Sequence, residues 1–211
     1  LAEVLVVASF LGIQDPRERP ADAREKADNA HAEFADPDSE FVGILKLWEA
    51  YRAAHEDLTQ SKLRGWCEKR FLSFLRMREW RELHRQLLLA CQEMDWGQVH
   101  FSGSDHRETD SLPRKNVPVP ASRKSGPDPA YRQLHRALIA GLPTQIGHRT
   151  EKGVYDAPRQ RKFQLFPGSS LLRQAGKAAD GRKGPPAWVL VASLLDTQKV
   201  WGLMAAKIEP D

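Results

Sequence analysis

Cysteine is scarce in this chain: Cys67 and Cys91 are the only two among 211 residues. They form no C-x-x-C pair and fall inside apolar helical patterns, so buried, reduced thiols are expected and a disulfide framework is not. The seven histidines include no H-E-x-x-H or comparable pair, which argues against a zinc site. Long apolar runs are missing too. The opening LAEVLVVASFLGI is too short to span a bilayer and has no basic leader, so it reads as a core helix. A cytoplasmic setting without membrane contact follows as the expectation. Catalytic signatures are also absent, with no G-x-x-x-x-G-K-[ST] phosphate loop, no G-x-S-x-G elbow and no acidic metal cluster. The carboxylate pairs Asp36/Asp38 and Glu56/Asp57 sit where helix-start and loop signals explain them. No catalytic residue and no metal ligand is assigned. The chain starts on Leu1, and a piece of a longer polypeptide is expected.

What the sequence does hold is divided unevenly. Residues 1–110 carry 15 Lys+Arg against 21 Asp+Glu, a balance of −6, while residues 111–211 carry 17 against 7, a balance of +10. The overall +4 therefore hides a basic second half, whose expected partner is nucleic acid or another anionic surface.

The first half has helical spacing. Leu1, Val4, Leu5, Ala8 and Leu11 recur on one face before Gly12 and Asp15-Pro16 end the segment. A charged helix is expected over 20–34. Ser39 then stands as an N-cap ahead of Phe41, Ile44, Leu45, Trp48 and Tyr51. From Ser61 to Met94 the pattern is helical again, its apolar positions interleaved with arginines whose default role is a solvated face. Residues 97–128 are rich in Gly, Ser, Pro and charge and read as a flexible insertion or linker. A helix follows at Tyr131, Leu134, Leu138 and Ile139, and strands are expected over 146–156, 161–166, 188–195 and 200–208. Trp188 and Trp201 alternate with aliphatic residues, which places them in the core in preference to base stacking. The segment FQLFPGSSLL ends a strand on Pro167-Gly168 and presents two adjacent serines; by local pattern alone these satisfy a hairpin turn.

Several motifs in order resemble one family. Gln14-Asp15, Arg19-Pro20 and His31-Ala32-Glu33-Phe34 come first. Asp38-Ser39-Glu40 with Leu47-Trp48, Trp66-Cys67-Glu68-Lys69-Arg70-Phe71-Leu72 and Gln86-Leu87 follow. The second half adds Phe166-Pro167-Gly168-Ser169-Ser170-Leu171, Pro186-Ala187-Trp188-Val189, Ser193 to Lys199, Trp201 and Ile208-Glu209-Pro210. Together they resemble the C-terminal accessory region of DEAH-box RNA helicases of the bacterial HrpA type. Where many eukaryotic relatives have Gly-Asp-His, this chain has Asp38-Ser39-Glu40, and an arginine of their pattern falls on Leu75.

The resemblance implies an α+β chain: a helical, ratchet-like domain over 1–96, then a helix and an oligonucleotide-binding (OB) barrel over 129–211. It also implies RNA-binding service to an ATP-dependent enzyme that moves 3′ to 5′. Mg-ATP would be bound by ATPase domains elsewhere, with no cofactor held in this fragment. Single-stranded RNA and those ATPase domains are the expected partners, with a protein or ribosomal surface as the alternative if the region is chiefly a docking platform. On that footing Ser169, Ser170 and Thr197 are candidate phosphate donors, and Lys199, Lys162 and Arg161 candidate counter-charges. Arg76, Arg78 and Arg81 are the candidates for a channel wall in the helical part.

Overall fold

Apolar residues three and four apart build the first half of the protein, and alternating ones build the second. The computed structural model describes residues 1–96, 128–151, 153–174 and 184–209; the linker expected at 97–128 lies, except for Asp128, outside them.

Helix α1 (Ala2–Leu11) buries Leu5, Val6, Val7 and Phe10 and packs against three other helices, consistent with its almost wholly apolar surface. The charged segment after it forms α2 (Arg24–His31), ending in a 3-10 turn, Ala32–Phe34. Ser39 caps α3 (Glu40–Asp57) as expected, its hydroxyl accepting from Val42 N at 3.3 Å. The helix predicted from Ser61 to Met94 is instead two, α4 (Gln60–Glu68) and α5 (Phe74–Glu93). Between them Phe71 adopts a left-handed backbone, φ 52°. The break is held by the preceding loop, where Glu18 N donates to Phe71 O at 2.8 Å and Ser73 N donates to Pro16 O at 2.8 Å. Trp80 of α5 lies at the centre of this helical body, fully buried. Its indole N–H is shared between Val6 O and Ser9 Oγ, both at 3.1 Å, and its ring meets Phe10 edge-on at 4.9 Å and Trp48 at 4.8 Å.

After α6 (Pro129–Gly141), capped by Asp128, five strands close into a barrel in the order β1-β2-β3-β5-β4. These are β1 (Ile146–Glu151), β2 (Val154–Ala157), β3 (Arg161–Leu165), β4 (Trp188–Asp196) and β5 (Val200–Ile208). The single strand expected over 146–156 is a hairpin, turned at Gly153 with φ +79°, a conformation glycine adopts without a Cβ penalty. All neighbours are antiparallel except β3 and β5. Phe163 fills the interior, stacked on Tyr155 at 5.5 Å, between two strands that could approach only as glycine: a Cβ on Gly147 or Gly202 would sit 2.5 or 2.8 Å from its ring. Pro167-Gly168 ends β3 as read from sequence, but a short helix, α7 (Ser170–Gln174), follows it.

The helices and the barrel share a core. Leu134 and Leu138 of α6 pack in one cluster with α1, α3 and α5 and with Leu190 and Ala206 of the barrel. The start of α3 lies along β5 beyond the reach of β3. Lys207 N donates to Asp38 O at 2.7 Å, Ser39 bridges Ala206, and Ala205 N donates to Glu40 Oε2 at 2.6 Å. Tyr131 of α6 closes the same joint, its hydroxyl 3.0 Å from Asp38 O and 2.7 Å from Lys207 O. Buried His135 donates from Nδ1 to Tyr131 O at 2.7 Å, which leaves Nε2 to accept from the Ser39 hydroxyl at 2.8 Å. Desolvation holds His135 below the ordinary histidine pKa, so the neutral ring is the favoured form.

Candidate nucleic-acid interface

Positive charge serves RNA only where a carboxylate has not already claimed it. In the helical body part of it is claimed. Arg76 Nη1 donates to Asp15 O at 3.1 Å and lies 4.0 Å from Glu18, while Arg70 pairs with Glu33 and covers the Trp66 ring at 4.3 Å. Arg64 and Arg78 flank Phe74, 5.2 and 6.0 Å from its ring. Arg81 is exposed and meets His55 Nε2. Burial works against ionisation of Asp15, but hydrogen bonds and charge from Arg17 outweigh it and hold that carboxyl below its usual range. Of the three arginines proposed for a channel wall, Arg78 and Arg81 face solvent and Arg76 is tied inward.

The barrel candidates divide as well. Ser169 is 2% exposed, and neither its hydroxyl nor that of Ser170 has a hydrogen-bond partner among the described residues or faces solvent. Ser170 N is itself occupied, donating to Glu40 Oε1 at 3.0 Å. The Pro-Gly turn thus aims both hydroxyls inward and opens α7. Thr197 is exposed, but its hydroxyl closes the β4–β5 turn by donating to Lys199 O at 2.9 Å. Arg161 reaches back to Thr144 O at 2.7 Å, and Lys162 lies 3.8 Å from Asp156. Lys199 is exposed and has no acidic partner among the described residues; its ammonium lies 6.0 Å over the Trp201 ring.

Lys199 and Trp201 flank the start of β5, and the β1–β2 turn at Gly153 shares a cleft with Trp201. In a barrel of this strand order, the β1–β2 and β4–β5 loops border the face on which oligonucleotides bind. Trp188 and Trp201 were expected in the core, yet both are only half buried, Trp188 beside His148 at 4.3 Å and Trp201 edge-on to Phe166 at 6.3 Å. Arg149 was not singled out by sequence. It lies on β1 close to Tyr155, and it too has no acidic partner among the described residues; nothing in its local pattern distinguished it from the other arginines.

Burial pushes the Cys67 thiol up to about 11, far from a reactive thiolate. Among the described residues no three His, Cys, Asp or Glu side chains converge as a metal site. No helix among the described residues is long and apolar enough to cross a membrane.

Residues 134–211 match the family described as oligonucleotide/oligosaccharide-binding (OB)-fold, in agreement with the closed five-stranded barrel. The chain is 32% identical over 210 residues to the ATP-dependent RNA helicase HrpA homolog of Haemophilus influenzae and 32% identical over 211 residues to the ATP-dependent RNA helicase HrpA of Escherichia coli K12, 99% of this chain in each case. It spans about 13% of the length of either relative. A probable ATP-dependent RNA helicase DHX35 from Pongo abelii is 22% identical over 203 residues, covering 94% of this chain and 22% of that protein.

Proposed function

We propose that this chain, 32% identical along nearly its whole length to helicases of HrpA type, works as the RNA-gripping accessory region of an ATP-driven RNA helicase of the DEAH-box kind. In this reading the barrel mouth and the exposed arginines of α5 line part of a single-stranded RNA channel, beside ATPase domains that bind Mg-ATP. The joint between α3 and β5 transmits their movement as the strand advances 3′ to 5′ in a cytoplasmic setting. Contacts fall mainly on phosphates, so sequence preference is weak. Lys199 is the principal phosphate contact, with Lys162, Arg161, Arg78 and Arg81 in support. Thr197 shapes the turn that presents Lys199. Ser169 and Ser170 reach a phosphate only if α7 shifts.

The observation that carries this reading is the unclaimed charge of Lys199 at the border of an OB face. Fluorescence anisotropy of a labelled single-stranded RNA, titrated with the 211-residue chain at several salt concentrations, tests it. Binding is expected to weaken with salt at a logarithmic slope of roughly −0.7 per phosphate neutralised, and Lys199→Ala is expected to flatten that slope by about one such contact. An unmodified chain that binds no RNA even at low salt would overturn the reading, leaving a docking platform for protein or ribosomal surfaces.

A further inference from the structure

Trp201 stands at the start of β5 with its ring outside the closed core. Its edge neighbour Phe166 is 39% exposed, so two aromatic surfaces meet solvent side by side. Trp201 also forms one wall of a cleft of about 260 Å³, with Pro167, Pro185, Leu172, Gln164 and Gly153 around it. That volume lies just under the ~300–1,000 Å³ typical of small-molecule sites, which suits one planar group better than a whole cofactor.

The chemistry of the walls narrows the occupant. The indole of Trp201 is flat, and the pyrrolidine rings of Pro167 and Pro185 make the rest of the wall apolar. The Gln164 amide offers both a donor and an acceptor, so it can meet the polar edge of a ring without fixing which ring it is. Positive charge lies near the cleft at two places, on side chains that do not line it. Lys199 is over Trp201, and Arg149 Nη1 is 3.1 Å from where a Cβ on Gly184 would stand, next to Pro185. An apolar peptide would leave these cations unused, and a lone anion would leave the apolar walls uncovered. A planar, polar-edged ring carried on an anionic backbone uses every part.

We propose that the cleft at Trp201 is a base-stacking subsite that takes one nucleobase of single-stranded RNA, with Lys199 and Arg149 meeting the phosphates on either side. This rests on the RNA-binding reading above. It assigns grip to stacking as well as to charge, and so predicts a component of affinity that salt does not screen.

The test compares a labelled RNA of about 12 nucleotides with an abasic oligomer of equal phosphate number, titrated against the 211-residue chain and its Trp201→Ala and Trp201→Phe variants. Trp201→Ala is expected to weaken RNA binding roughly 5- to 100-fold with the salt slope unchanged, while Trp201→Phe retains most of the affinity. The abasic oligomer is expected to bind the unmodified chain weakly and to bind Trp201→Ala no more weakly still. That arm uses the unmodified protein and holds even if the alanine variant folds poorly. If RNA binds well but neither base removal nor Trp201→Ala weakens it, the subsite is wrong and the RNA-binding reading stands. If the unmodified chain binds no RNA, both fall together.

Discussion

The helical body and the barrel are both rich in basic side chains, yet they spend them differently. In the helices several guanidinium groups are held by carboxylates, Arg17 by Asp15, Arg19 by Asp28, Arg70 by Glu33 and Arg85 by Glu82, while Arg78 and Arg81 face solvent. In the barrel Lys199 and Arg149 stand without acidic partners among the described residues, close to aromatic rings. The lesson is that net charge counts residues, while binding counts charges left over after the fold has used its share. An ion pair removes one charge of each sign and leaves the −6 of the first half and the +10 of the second unchanged, so net charge alone does not say which cations stay available.

The comparison breaks most visibly at Trp80. Replacing it with alanine is expected to cost about 3–5 kcal/mol, because it empties the centre of the helical body and strips Ser9 of a partner. Leu190 and Ala206 belong to the same cluster, so denaturant titration followed by barrel and helix signals is expected to show both shifting together. Two separate transitions would mean that the regions differ in stability as well as in charge.

A smaller effect probes the barrel alone. Gly147→Ala would place a Cβ 2.5 Å from the Phe163 ring and is expected to cost about 1–3 kcal/mol by overpacking. Thermal melts should show this loss, and Phe163→Leu in the same chain should recover part of it.

The smallest effect lies at the joint. Burial lowers the His135 pKa below its unfolded value near 6.5, so the unfolded chain takes up the proton first. Stability from this group is present above that value and is lost as pH falls from it through the lower folded pKa. His31 and His84 share the direction, with burial again the largest cause. Melting temperature is expected to drop between about pH 7.5 and pH 5, and His135→Phe is expected to shallow that drop while lowering stability at neutral pH. An unchanged slope would remove His135 from the joint's titration.

Much of the architecture was legible in the sequence because it depends on local chemistry. The Ser39 cap, the apolar face from Phe41 to Tyr51 and the Pro167-Gly168 stop each follow from a side chain acting on its own neighbourhood. The break at Phe71 was not legible, since no glycine or proline marks it and the hydrogen bonds that hold it come from Pro16 and Glu18. The hairpin at Gly153 was missed because a six-residue β1 and a four-residue β2, with little more than Gly153 between them, look like one long strand. The candidate site followed the same divide. Lys199 could be named from its motif, whereas the inward turn of Ser169 and Ser170 and the outward face of Trp201 depend on how distant segments pack.

Strand β5 pairs with β4 along its whole length but with β3 only around Trp201 and Gly202, so its far half has a second side that the barrel itself does not pair. Asp38, Ser39 and Glu40 occupy that side with backbone and carboxylate acceptors. An unpaired strand edge is a template for another chain. The helical body therefore also acts as a guard against self-association: a barrel cut free of it would bare the donors of Ala205 and Lys207, the place where one molecule could add itself to the next.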